Sequence, residues 1–368
     1  MTASIRLHKA ALLPAACLAA AFAAGLFIYG KEASAGAAAG LSLCGQVVIP
    51  SLFPFMIAAL FISKSGLSDL IGRLLRPAAP LLFKLPAAAG GAVFLSFIAG
   101  YPVGARLVRG LYESGQVDER QANTLLTFTV NAGPAFVVTA VGQGMLHNRR
   151  AGWLLLAAHI LASLLLGCIV GHIDDRGRPV RSLMQTPPAP RRTGPVPAFV
   201  EAVSDASLSM LQICGWVVLF SVVLALLQAC GLPPALVTLL AGLTEVTTGA
   251  AAAASPGHLP LLAALLGWAG LSVQFQALSS LGSLRPKYGR FFAARAAHGL
   301  LSALLARLLI CFFPAVTEAA ARPSIQPAAS GLSLPASLSM LLLLVVFLCF
   351  VRKGREEESP VRAFPKSK

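Results

Sequence analysis

The chain is built of apolar blocks parted by short basic stretches. The apolar segments run at 10–30, 41–63, 88–105, 123–146, 151–171, 207–229, 233–254, 259–284, 295–315 and 335–351. Several reach the roughly 20 residues that a helix needs to cross a bilayer core. In hydrocarbon every backbone polar group must be paired internally, so such segments are helices. Basic residues collect on the cytoplasmic side and set the direction of each crossing. Arg6 and Lys9 place the amino terminus inside, and 41–63 returns the chain to Lys64, Arg73, Arg76 and Lys84, also inside. Arg106, Arg109 and Arg120 follow 88–105 and belong inside too, so this segment enters and leaves by one face. Gly100, Pro102 and Gly104 suit it to a re-entrant hairpin of two half-helices.

Segments 123–146 and 151–171 go out and back, to Arg176, Arg178, Arg181, Arg191 and Arg192, with Arg149 and Arg150 left outside as the main exception. Segment 207–229 exits, while Arg285, Lys287, Arg290 and Arg295 require 284 to be inside. Segment 233–254 is then a second hairpin, entered from the outer face. The last two spans bring Arg352, Lys353 and Arg355 inside. The expected fold is an all-α polytopic membrane protein with about eight transmembrane helices, two re-entrant helical hairpins and both termini inside. Residues 41–171 read span, hairpin, span, span from the outside, and 207–315 repeat that order from the inside. This is the inverted-repeat plan of many secondary transporters. Residues 1–40 form an N-terminal transmembrane helix, 172–206 a Pro- and Arg-rich cytoplasmic linker, and 316–368 a final span with a charged tail.

Composition agrees with a membrane solvent. Of 368 residues, 57% are hydrophobic and 12% charged, with a mean hydropathy of +0.77. A soluble domain carries about a quarter charged residues. The net charge of +15 is confined to loop clusters, which speaks against nucleic acid as the partner. Cys17, Cys168, Cys214, Cys230, Cys311 and Cys349 lie in apolar runs and Cys44 at the start of one; none forms a CxxC pair, so they read as small buried hydrophobes. The amino-terminal run follows Arg6 and Lys9, and Ala33-Ser34-Ala35 resembles a cleavage site. Its length favours a retained helix over a leader peptide removed near residue 35.

Polar side chains at membrane depth are costly and face a cavity or a partner. Four clusters fall at matching places in the two halves. The first hairpin holds Ser96 and Gly100-Tyr101-Pro102-Val103-Gly104-Ala105-Arg106, and the next span Thr127, Thr129 and Asn131-Ala132-Gly133-Pro134. The second hairpin holds Thr244-Glu245-Val246-Thr247-Thr248-Gly249, and its following span Gly270, Ser272, Gln274 and Gln276. Pro134 removes a backbone donor, so the helix is broken near Asn131–Gly133. Asn131, Gln274 and Gln276 offer donors and an acceptor to a ligand, or else glue helices together. Glu245 is the one acid well inside an apolar run, suited to a cation, a coupling proton or a substrate hydrogen bond. His159 and His298 read as helix contacts, Tyr101 as a site residue or interface anchor, and Trp268 as an interface anchor.

The run Phe94 to Arg106, with Asn131-Ala132-Gly133-Pro134-Ala135-Phe136 and Gly142-Gln143-Gly144-Met145, resembles the sporulation integral membrane proteins of the YlbJ type. Thr244 to Gly249 and Gly267 to Gln274 resemble that family's later motifs, so the likeness spans about 41–315. The resemblance implies kinship with nucleoside-recognition "gate" proteins, similar in plan to concentrative nucleoside transporters. It implies a role in endospore formation, with dipicolinic acid passage into the forespore as the leading activity and the outer forespore membrane as the place. It puts the substrate site on Tyr101, Asn131, Glu245 and Gln274, with Arg106 and Ser272 beside them. Gly100, Pro102, Gly104, Gly133, Pro134, Gly249 and Gly270 supply the breaks. The long Ala-rich start and the Arg-rich linker depart from that pattern.

A nucleoside carrier and a non-transporting component of spore assembly are the alternatives. There is no HExxH metal site and no GxSxG nucleophile elbow, so an enzyme is not expected. No cofactor or metal is expected, and the coupling ion, if any, is open. The partners expected are the substrate, the bilayer, and either further copies of the chain or other sporulation membrane proteins.

Overall fold

The computed structural model describes residues 16–65, 77–175, 194–314 and 316. Among them every regular element is helical. Helix α1 is Ala16–Ile28. Helix α2 covers 30–64, as Gly30–Leu43 and Ile49–Lys64 joined through a π-helical turn at Cys44–Val48. The short α3 (Ala78–Phe83) leads to the first broken pair, α4 (Ala89–Ala99) and α5 (Val103–Glu113). Then come α6 (Glu119–Leu126), α7 (Ala135–Met145, wound as a π-helix) and α8 (Arg149–Asp175). The second half repeats the order. The long α9 (Pro195–Ala229) precedes a broken pair, α10 (Pro234–Thr244) and α11 (Val246–Ala253). A broken helix follows, α12 (Leu259–Trp268) and α13 (Gly270–Ser279), and then the long α14 (Tyr288–Phe312).

Equivalent elements of the two halves run antiparallel. On α2 and α9, a Cβ at Gly36 would lie 2.7 Å from that of Ala225, and one at Gly40 2.9 Å from Ser221 Oγ. Further along, the Phe61 and Phe199 rings meet at 5.9 Å, and Lys64 Nζ lies 3.0 Å from both Glu201 and Asp205. Burial disfavours the Lys64 charge, but the two carboxylates outweigh it and hold its pKa above the ordinary lysine value. Helices α8 and α14 pair likewise, through His159 with His298 and Asp174 with Arg290. One core cluster joins α3 to α8 with α11 to α14, and a smaller one lies between α2 and α9.

Breaks fall where the backbone demands them. Helix α4 stops at Gly100, whose φ of 71° is open to glycine, and the Tyr101–Pro102 peptide is cis. Helix α6 starts in a capping box of Asp118 and Gln121, and no helix continues through 129–133. Glu245 is extended between α10 and α11, and Ala269 and Gly270 take φ of 72° and 69° between α12 and α13.

Several expectations are corrected. The turn between spans 10–30 and 41–63 is instead helix, because the Ala-rich stretch 31–40 contains no proline and Gly36 and Gly40, weak helix formers by themselves, let α9 approach. The cleavage-like Ala33-Ser34-Ala35 lies within this helix. Residues 195–206, assigned to the linker, are the first turns of α9, since proline is tolerated at a helix start. Among the described residues, five helical stretches are long and apolar enough to cross a membrane, with Leu259–Ser279 counted as one across its break. The 123–146 segment is not among them because the non-helical stretch 129–133 parts its short helices α6 and α7, and 335–351 lies outside the described residues. Of the described cysteines, Cys44 is buried but Cys17, Cys230 and Cys311 are exposed on helix surfaces. Arg295, counted with the cytoplasmic cluster, is fully buried.

Candidate functional site

Three of the four breaks open onto one cavity of about 670 Å³, counted with its open mouth. Gly100 and Tyr101 come from the α4–α5 break, Gly133 from the α6–α7 break, and Glu245 with Thr247 from the α10–α11 break. The fourth break stands directly behind: a Cβ at Gly270 would lie 2.8 Å from Val246 N. Its helix α13 lines the cavity through Val273 and Gln276. Phe55 and Met56 of α2 and Ile213 and Trp216 of α9 close the opposite wall. The lining is mainly aromatic and aliphatic, and Glu245 is the one charged side chain among the lining residues.

Glu245 owes its position to the second broken pair. Its carboxylate accepts from Thr247 N at 2.9 Å and Thr248 N at 2.6 Å, capping α11. Two otherwise unpaired donors are thus satisfied, and the helix dipole favours the negative charge. The Tyr101 ring lies 6.4 Å from that of Phe136, and its hydroxyl is buried with no hydrogen-bond partner among the described residues.

The other expected site residues sit behind the cavity wall. Asn131 is fully buried and donates to Phe128 O at 2.8 Å and Ser96 Oγ at 3.3 Å. Gln274, also fully buried, donates to Trp268 O at 2.8 Å. Each amide thus donates to a backbone carbonyl earlier in the chain, and neither amide oxygen has a partner among the described residues. Ser272 is buried and its hydroxyl has no hydrogen-bond partner among the described residues, and Arg106 donates to Ser209 Oγ of α9 at 3.4 Å, away from the cavity. Trp268 donates to Leu243 O at 3.0 Å and pins α12 to α10. Gly104 packs against Thr129 O, Gly133 against Gly100, and Gly249 against Gly242. Pro102 and Pro134 stand at the starts of α5 and α7.

Sequence reasoning missed Arg295, and it read His159 and His298 as helix contacts, which they make with each other, without joining them to it. The three form one buried group with the broken segment 127–133. Arg295 donates to the carbonyls of Thr127 and Val130, and the histidine rings lie 4.5 Å apart. The signal was available in Pro134: a helix that loses a donor there needs one supplied from elsewhere for Val130 O.

A polytopic helical membrane protein with broken helices converging on a central cavity is the class these features define. Residues 46–148 match the family model described as Gate, nucleoside recognition, a stretch that takes in the first hairpin and the first broken helix. The chain is similar to the sporulation integral membrane protein YlbJ of Bacillus subtilis (strain 168), with 27% identity over 308 residues, 73% of this chain and 76% of that protein. No solved structure matches the chain. The expected likeness to YlbJ-type and Gate proteins thus holds, on sequence alone.

Proposed function

We propose that this protein carries a small polar aromatic molecule across the membrane, binding it where the helix breaks meet. The observation behind this reading is the convergence of three breaks on one mainly apolar cavity, with the rings of Phe55, Tyr101, Phe136 and Trp216 in its lining and Glu245, Thr247 and Gln276 as polar contacts. Broken helices at membrane depth are tolerated where they line a cavity, and transporters bind substrate there. Given the similarity to a sporulation protein, dipicolinic acid entering the forespore is the first substrate to test, with the outer forespore membrane as the site of action. Substrate passes unaltered, without cofactor.

A nucleoside is the second reading, and one feature favours it. Glu245 is the one charged group among the lining residues, and it would repel an anionic carboxylate unless a proton or cation accompanied it. An uncharged aromatic base needs no such companion. Purified protein in liposomes, offered labelled dipicolinate or uridine across a pH gradient, decides between them. Accumulation of dipicolinate above empty liposomes is expected; uptake of uridine alone would establish the second reading. Uptake of neither would overturn transport.

A further inference from the structure

We propose that Arg295 is a positioning residue for the substrate site, clamping segment 127–133 in its non-helical form. The proposal rests on the transport reading only where it links this clamp to uptake.

In a continuous helix the carbonyl of each residue accepts from the N–H four residues on. Val130 O would need the N–H of residue 134, which is a proline and has none. Thr127 O and Phe128 O lose their donors as the backbone turns away. Each of these groups is met from outside the segment. One Arg295 guanidinium nitrogen donates to Val130 O and the other to Thr127 O. Phe128 O accepts from Ser163 Oγ of α8 at 2.7 Å. The N–H of Ala132, freed by the same break, donates to His159 Nε2 at 3.0 Å. His298 donates through Nε2 to His159 O at 3.0 Å, and its Nδ1 faces the guanidinium at 3.3 Å. These contacts fix both imidazoles as neutral tautomers, His298 protonated on Nε2 and His159 on Nδ1.

Three observations separate a clamp from a charge that merely orients the chain. Arg295 is fully buried on α14, far too deep for a loop charge. Among the described residues it forms no ion pair, so its charge is balanced by carbonyls at the negative end of α6. The segment it holds carries Gly133, which lines the cavity and packs on Gly100 of the hairpin break. A shift of 127–133 therefore moves the cavity wall. The planar fork spans two carbonyls three residues apart, a geometry the point charge of lysine does not reproduce.

Hydrogen–deuterium exchange with the full chain in nanodiscs, alongside uptake in liposomes, tests the clamp. Arg295→Met should raise exchange in peptides covering 127–136 by about tenfold or more, as a lost charge-assisted hydrogen bond predicts. Peptides from α9 should stay at the parental rate, and uptake should be lost. Arg295→Lys, which keeps the charge and reaches one carbonyl, should fall between parent and Met variant in both readouts, and it carries the test if the Met variant does not fold. Unchanged exchange over 127–136 in both variants, or equal acceleration throughout the chain, would overturn the clamp. Local acceleration with parental uptake would overturn its link to the site. Exchange is read without substrate, so a parent that carries neither compound counts against transport and not against the clamp.

Discussion

At the scale of single residues, the site depends on groups that do two things at once. Glu245 lines the cavity and also caps α11 through Thr247 N and Thr248 N, so its carboxylate has a structural reason to be there. Substitution separates the roles. Glu245→Gln keeps one acceptor oxygen for the cap and removes the titratable charge, while a buried donor left unpaired costs about 1–3 kcal/mol. We expect the Gln variant to reach the membrane at parental level, melt somewhat lower and transport poorly; full uptake at equal protein level would reduce Glu245 to a cap. Gly104 is a harder constraint. A Cβ there would run into the backbone carbonyl of Thr129, where no flexible side chain can yield. Gly104→Ala should therefore cost at least the roughly 1–3 kcal/mol of an overpacked core, seen as reduced folded protein by fluorescence-detected size exclusion.

At the scale of elements, what could be read from sequence divides by how local its cause is. The breaks at Gly100–Pro102, Asn131–Pro134 and Gly270 are written in proline and glycine, whose backbone effects need no neighbour. The start of α2 was not legible, since Ala-rich 31–40 is compatible with a loop between apolar runs and with helix alike. What decides for helix is α9, against which Gly36 and Gly40 pack. Arg295 was invisible for the opposite reason: counting basic residues along the chain places it with Arg290, although one turn of helix turns it inward onto carbonyls more than 160 residues away. Tyr101 and Glu245 were singled out because they stand at breaks, and both line the cavity, whereas Phe55 and Trp216 reach it from unbroken helices and carry no mark. The α2–α9 contact yields its own prediction. Gly40→Leu should push the helices apart and lower the thermal midpoint of the purified protein, whereas Gly45→Leu on the same helix, where a Cβ meets nothing within 4 Å, should leave it unchanged. Equal melting of the two variants would mean that the close approach contributes little.

At the scale of the whole molecule, the contacts sort the helix ends into two sets that match the sidedness of the basic residues. Asn123, at the α6 start, donates to Arg285 O at 3.1 Å and accepts from Lys287 N at 2.7 Å, while Arg290 pairs with Asp174 and Thr124. These loops were all expected inside, and they lie together. Asn148, from the turn expected outside, donates to Val316 O at 2.9 Å beyond the other end of α14. Because α2 opposes α9 and α8 opposes α14, the equivalent helices of the two halves point in opposite directions, as alternating access by repeat rocking requires. With α2 and α9 each about 50 Å long, against a bilayer core of about 30 Å, their ends stand clear of hydrocarbon and open to reagents. Cys230 is exposed at the outer end of α9 and supplies a native reporter, while Glu119 is exposed at the start of α6 among the inner loops. In intact cells, a membrane-impermeant maleimide should label a variant keeping Cys230 as its one cysteine. It should leave Glu119→Cys in a cysteine-free background unlabelled until the membrane is permeabilised. Labelling of both from one side would place α6 and the far end of α9 on the same face, and the opposed orientation of the two halves could not stand.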